Sequence, residues 1–392
     1  MAALMAAALV LTACGPGEDD DVTSAPVGAG ATTASEDHDD GESSHGHSAA
    51  PVKASPLRPG ERRKTLTMPA AYTPSAPTGV GTDDYRCFLL DPHLKQDAFL
   101  TGTHVLPGNP DVVHHVILFR VPPDQVTSAE EMDGATEGQG WTCFGGTGLD
   151  EFQGVDDAPW LGAWAPGGKE SVSAPGFGKR LAAGSRIIMQ VHYNLLAGSG
   201  PDESATLLRY APGSSDITPL ETMLLPAPVE MPCREKYADG PLCDREASIA
   251  DLIDRVGGSG NTNNALYFLC GGKPKPSNVT SCDRPIGEPT TIRGVAGHMH
   301  LLGRSIKIEV NPGTARAQTI LDIPIWDFDN QANQPIKPVR LDYGDVVRVT
   351  CRHVQWLRDK LPSFEGIPDK YVVWGEGTTD EMCLGILTVT RP

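Results

Sequence analysis

Residues 112–121 read Val-Val-His-His-Val-Ile-Leu-Phe-Arg-Val, a short apolar run with a single charge, which belongs on a half-buried strand. Comparable runs occupy residues 186–196, 305–310, 346–351, 371–374 and 384–389, and Pro, Gly or Asn breaks the chain between them. Their lengths and spacing predict an all-β fold. The composition agrees, because 39% hydrophobic and 6% aromatic residues with 43 Gly and 34 Pro favour turn-rich β structure over a helical bundle. One helical pattern interrupts the strands. Residues 244–256 set Ile249, Leu252, Ile253 and Val256 on one face, with Gly257 and Gly258 as a stop.

At 392 residues the chain exceeds what one core usually fills, so two domains plus tails are expected. The net charge of −18 excludes a nucleic-acid partner, since phosphate binding needs a basic face and Lys and Arg form no dense run. About half of the acidic excess is local. Nine acids lie in residues 18–42, and no Lys or Arg precedes Lys53.

Nine cysteines are open to three readings: metal thiolates, redox chemistry, or disulfides in an oxidising compartment. The N-terminus bears on the choice. Residues 1–13 form a short apolar run ending Leu-Thr-Ala directly before Cys14. This is similar to the lipobox of bacterial lipoproteins and too short for a permanent membrane span, with a plain signal peptide as the alternative. Acylation of Cys14 leaves eight cysteines, an even number suited to four disulfides. Residues 14–66 are rich in Ala, Ser, Gly and acids, and are expected to form a tether holding the folded part off the membrane. His38, His45 and His47 in it are read either as solvated or as a collector of metal ions. The chain holds no P-loop, dinucleotide fingerprint or Gly-x-Ser-x-Gly elbow.

Three histidine motifs hold five of the eight histidines beyond the tether. In Val113-His114-His115-Val116 the adjacent imidazoles point to opposite faces of a regular strand, so both reach one ion only at an irregularity such as a bulge. Gln190-Val191-His192-Tyr193 carries one imidazole among apolar neighbours. Gly297-His298-Met299-His300 places two on one face, about 6.5 to 7 Å apart along a strand, close enough for one ion. Taken singly, each motif also fits an ordinary core or surface histidine. The fourth element, Thr379-Asp380-Glu381-Met382-Cys383, puts a thioether after polar turn residues. Two imidazoles with a thioether select copper over zinc, whereas a buried methionine alone fills a gap.

Together and in this order the four elements resemble the copper type II, ascorbate-dependent monooxygenases, the family of peptidylglycine α-hydroxylating monooxygenase and dopamine β-monooxygenase. The matching strings span about residues 85–390. The resemblance implies two coppers per chain: an electron-transfer copper on His114, His115 and His192, and an oxygen-binding copper on His298, His300 and Met382. It marks Gln190 as a residue behind the first copper, and pairs Cys87 with Cys143 and Cys351 with Cys383. Cys233, Cys243, Cys270 and Cys282 flank the helical insertion and allow three connectivities. His93, His104 and His353 match no motif and are read as non-ligands.

The implied fold is two antiparallel jelly-roll β-sandwich domains side by side, with a short helical insertion in the second and the coppers facing each other across a solvent cleft. The expected division is signal peptide 1–13, tether 14–66, first copper domain 67–198 and second copper domain 199–392. The implied reaction hydroxylates a C–H bond with dioxygen and electrons from ascorbate or another one-electron donor. The chain is expected to be a monomer at the cell envelope, on the periplasmic face or outer surface, touching the membrane only through its lipid.

One departure bears on the substrate. In the peptidylglycine branch an Arg two residues before the first His of His-x-His, with an Asn and a Tyr two and four residues after the Met, holds a carboxylate. Those positions here are Ala296, Leu384 and Ile386, and Arg293 lies an odd number of residues from Ala296, on the other face of a regular strand. A small neutral or apolar substrate is therefore expected. The rival readings are a copper-binding or copper-buffering lipoprotein without turnover, a zinc hydrolase, and a structural surface protein.

Overall fold

A computed structural model describes residues 54–76, 82–149, 155–196, 198–256 and 262–392. The expected signal peptide, Cys14, the histidines of the expected tether and the expected stop at Gly257 and Gly258 lie outside the described residues. The first half of the chain runs β1 (Arg62–Thr67), β2 (Asp83–Leu90), β3 (Ala98–Leu106), β4 (Val113–Val121), α1 (Val126–Gly134), β5 (Trp141–Thr142), β6 (Trp160–Trp164), β7 (Ser171–Val172), β8 (Phe177–Leu181), β9 (Arg186–Asn194), β10 (Ala205–Pro212) and β11 (Thr218–Pro219). The second runs β12 (Glu221–Pro226), β13 (Glu230–Met231), α2 (Arg245–Val256), α3 (Thr262–Cys270), β14 (Val279–Pro285), β15 (Thr290–His298), β16 (Gly303–Val310), β17 (Gln318–Ile323), β18 (Gln334–Leu341), β19 (Val346–His353), β20 (Val372–Val373) and β21 (Leu384–Thr390). The fold is all-β, and all six apolar runs read from the sequence are strands.

The strands form sheets in the orders β1-β10-β3-β8-β11 (with β7 on β3), β5-β2-β9-β4-β6, β12-β21-β15-β18 and β14-β19-β16-β17, besides the β13-β20 pair. Every ladder is antiparallel except β8 with β11. The first two sheets share one apolar cluster, in which Leu100, Val105, Leu181 and Leu208 meet Phe88, Val116, Leu118 and Met189. The third and fourth share another, in which Leu225, Val295 and Leu387 meet Ile306, Ile308 and Val349.

Strand alternation then decides what faces outward. On β9, Ile187, Met189, Val191 and Tyr193 enter the first cluster, so Ile188, Gln190 and His192 point the other way. On β15 and β21, a Cβ added at Gly297 or Gly385 would come within 2.9 Å of Ile306 or Ile308, so these positions face the second cluster and admit no side chain. Their neighbours Ala296, His298, Leu384 and Ile386 lie on the opposite face of the two strands, where Leu384 and Ile386 still pack against residues of that cluster.

Three expectations are corrected. The tether does not extend to residue 66: β1 pairs along its length with β10 and buries Leu66. Its Arg62, Arg63 and Lys64 read as solvated chain, but charged side chains are also what an edge strand carries. Sheet membership changes between β11 and β12, not near residue 198, because β10 completes the first sheet beside β3. The helix at 244–256 has company in α1 and α3. It begins at Asp244, whose carboxylate accepts from Ala247 N at 2.9 Å, and it buries Ile249 and Leu252 while Ile253 is 39% exposed.

Four disulfides link Cys87–Cys143, Cys233–Cys243, Cys270–Cys282 and Cys351–Cys383. Among the described residues no helix is long and apolar enough to cross a membrane.

Candidate metal centre

His115 and His192 are directly paired across β4 and β9, and Tyr85 is paired with His192 across β2 and β9. The β4–β9 register slips between Val113 and His115, leaving His114 as the extra residue of a bulge. That irregularity brings both adjacent imidazoles to one place. The ligand nitrogens of His114, His115 and His192 all lie within 4.8 Å of one another, and the Nδ1 atoms of His114 and His192 face each other at 3.3 Å. Tyr85 stacks on His192 with ring centroids 4.1 Å apart.

The second pair is built differently from the strand expected. β15 ends at His298 and His300 lies in the loop that follows, yet their rings stand 5.1 Å apart and nearly perpendicular. Glu381 makes this loop. Fully buried, its carboxylate accepts from the backbone N–H of His300 at 3.0 Å, Leu302 at 2.5 Å and Met382 at 3.2 Å. Buried His353 adds a bond from Nε2 to Met382 O at 3.1 Å, so it serves the site as a strut. Met382 is buried in the turn just before β21, where Leu384 pairs with His298.

The coppers were expected to face one another across a solvent cleft; the two ligand sets instead adjoin. The His115 and His298 rings are 6.0 Å apart. Phe328 stacks on His114 at 4.6 Å and meets His300 edge-on at 6.4 Å. Polar contacts draw the surfaces together: Tyr85 Oη donates to Glu376 O at 2.8 Å, and Thr378 N donates to the Asp83 carboxylate at 3.2 Å. Trp160 packs against the second apolar cluster and against a separate one formed by Cys87, Phe119, Trp141, Cys143 and Ile188.

Burial governs the electrostatics. It pulls the His114 and His298 imidazoles down to about 3, with neighbouring imidazoles reinforcing it, and lowers His115 and His300 as well. These four rings are neutral at pH 7 and ready to donate lone pairs. Burial pushes the Asp83 carboxyl up, but bonds from His192 and Thr378 outweigh it and hold the group below the usual carboxylate range. Asp380 follows the same logic: burial raises it, while Lys370 and Arg255 of α2 hold it well below that range.

The residues fit a metal ion on an observation of their own. His114 Nε2 and His300 Nδ1 are buried without a hydrogen-bond partner. Buried polar atoms are nearly always paired; an ion bound at His300 Nδ1 would satisfy that ring, while His114 Nδ1 and His192 Nδ1, 3.3 Å apart, are placed to share one. His192 gives Nε2 to Asp83 at 2.8 Å and turns Nδ1 toward His114, the carboxylate–histidine arrangement typical of metal ligands.

Other expected residues fall as follows. Gln190 lies on the His192 face, but its amide donates to Cys143 O at 2.9 Å and Gly146 O at 3.2 Å, bracing the disulfide turn without bonding a histidine. Ala296 pairs with Ile386 and His298 with Leu384, so the three substrate-pocket candidates form one apolar patch beside His298. Arg293 sits at the β15 register slip, bonded to Thr390 and lying over the Phe177 ring. Asp83, Tyr85, Phe328, Gln331, Thr378 and Glu381 were not anticipated. Only Glu381 and Thr378 carried a signal, their closeness to Met382 in sequence.

No family model and no curated protein matches the chain. Among solved structures, a xanthan lyase of Paenibacillus aligns at 11% identity over 83% of this chain and 25% of that one, with a TM-score of 0.20. Procruciferin, an 11S globulin of Brassica napus, aligns at 11% over 79% and 76% with a TM-score of 0.15. A variant oxalate decarboxylase of Bacillus subtilis aligns at 7% over 86% and 74% with a TM-score of 0.14. Likenesses this slight carry no argument about fold or function.

Proposed function

We propose that this chain is a two-copper, ascorbate-dependent monooxygenase that hydroxylates a C–H bond of a small neutral or apolar molecule. The observation that carries the reading is the convergence of His114, His115 and His192 on one point, directly beside His298 and His300. Bound copper would supply the one-electron chemistry that lets dioxygen, with two electrons and two protons, replace C–H by C–OH and release water. His114, His115 and His192 would hold one ion, and His298, His300 and Met382 the other, with the thioether favouring the cuprous state. Glu381 fixes the backbone that presents His300 and Met382. The patch of Ala296, Leu384 and Ile386 receives the apolar part of the substrate and excludes water. Leaving a substrate carboxylate buried without a cation costs about 3 to 5 kcal/mol, so glycine-extended peptides bind poorly.

The finer architecture belongs to the same proposal: each facing pair of sheets is a jelly-roll sandwich, and the chain is a monomer. The four disulfides suit an oxidising compartment, in keeping with anchoring through Cys14 at the cell envelope. A second reading, copper binding without turnover, draws on Phe328, whose ring occupies the space between the two sets.

Copper analysis and oxygen uptake separate the readings. Two coppers per chain with ascorbate-dependent oxygen uptake are expected, and Met382→Ile should keep copper on the three-histidine set while oxygen uptake stops. Full uptake in that variant contradicts the ligand assignment, and two coppers without uptake favour the binding protein.

A further inference from the structure

One ligand histidine of each set gives its outer nitrogen to a side chain, and the two acceptors differ in charge. His192 Nε2 meets the Asp83 carboxylate at 2.8 Å, while His298 Nδ1 meets the neutral amide oxygen of Gln331 at 2.6 Å. Neither acceptor is incidental. Asp83 also takes Thr378 N and Oγ1 and, at 3.5 Å, Thr82 Oγ1, so four donors converge on one acceptor-only group. Gln331 is itself fixed, its Nε2 donating to Phe328 O at 2.7 Å, and this orients the amide oxygen toward His298.

A carboxylate that accepts an imidazole N–H draws the proton toward itself and leaves more electron density on the opposite nitrogen. That ring is a stronger donor and favours the more highly charged metal ion. An amide oxygen does this far less, and a thioether in the same set favours the cuprous ion. Resting on the two-copper reading above, we infer that Asp83 and Gln331 are positioning residues whose difference in charge sets the potentials of the two centres, low at the three-histidine set and high at the His298 set. Copper held by His114, His115 and His192 would then be the better electron donor, and copper held by His298, His300 and Met382 the better acceptor once it has been oxidised. The proton on His192 Nε2 stays in its bond to Asp83 throughout.

The test is a potentiometric titration of the copper-loaded full chain, following the cupric signal by electron paramagnetic resonance. Asp83→Asn keeps the shape and removes the charge. Loss of such a partner typically costs 10- to 100-fold in metal affinity; a tenfold loss confined to Cu(II) raises a one-electron potential by about 59 mV. The three-histidine potential should rise by that much or more while the other stays in place, and Asp83→Glu should restore it. Gln331→Glu should lower the second potential, and the double variant should close the gap. Equal losses of Cu(I) and Cu(II) affinity in Asp83→Asn, with both potentials unmoved, would mean a merely structural role and overturn the inference, leaving the two-copper reading intact. A parent chain that binds no copper overturns both.

Discussion

Glu381 and the buried imidazoles show what single residues contribute. No Glu381 side-chain bond reaches an imidazole of His298 or His300, yet its carboxylate ties the backbone N–H groups of His300 and Met382, two members of the second set, and of Leu302 beside them. Glu381→Ala should therefore lower copper affinity at the His298 set by about 10- to 100-fold while the three-histidine set stays loaded; equilibrium dialysis against a copper chelator reads the change from two ions toward one. The imidazoles predict a pH dependence. His114 and His298 remain neutral in the folded, metal-free chain down to about pH 3, whereas an unfolded histidine takes a proton near 6.5. Between those values the unfolded state binds more protons, so stability rises with pH across the window and is lost as pH falls through it. Each ring adds a slope of at most about 1.4 kcal/mol per pH unit. Urea midpoints of metal-free protein should decline from about pH 6.5 downward, and a flat profile would count against buried neutral rings.

At the scale of elements, the insertion of α2 and α3 matters because α2 braces the turn that carries Met382. Its Ile249 and Leu252 pack with Tyr371 and Val373, and its Arg255 reaches Asp380 at 2.8 Å. Lys370, also buried, completes the cluster on Asp380. Removing one member of a buried pair leaves the other charge uncompensated, at a cost of about 3 to 5 kcal/mol. Asp380→Asn should shift the urea midpoint accordingly, and a change below about 1 kcal/mol, the range of an exposed pair, would show that the cluster is solvated. The bulge of β4 is the other decisive element. Without the slip between Val113 and His115, one imidazole would enter the apolar cluster and the set would lose a ligand.

Across the whole molecule, the parts legible in the sequence are those that repeat a local period. The strands of 112–121 and 186–196 announce themselves by apolar runs, and His114 with His115 announces either a bulge or no site. What was not legible depends on distant chain. Asp83 is one acid in a polar stretch until β2 and β9 set it against His192, and Phe328 and Gln331 belong to a loop whose partners lie far away in sequence. The adjoining of the two ligand sets was hidden likewise, since it depends on contacts such as Tyr85 with Glu376 and Asp83 with Thr378. α3 escaped notice because Thr262, Asn263 and Asn264 open it without a helical apolar stripe. Isotope tracing decides whether the chain is an oxygenase: copper-loaded, ascorbate-reduced chain is given labelled dioxygen and a panel of neutral apolar compounds set against glycine-extended peptides. Each hydroxylated product of a neutral compound should carry one labelled oxygen atom, with one dioxygen consumed per product and no product from Met382→Ile. Absence of oxygen consumption by the fully loaded, reduced chain, or label arriving from water, would contradict the oxygenase reading.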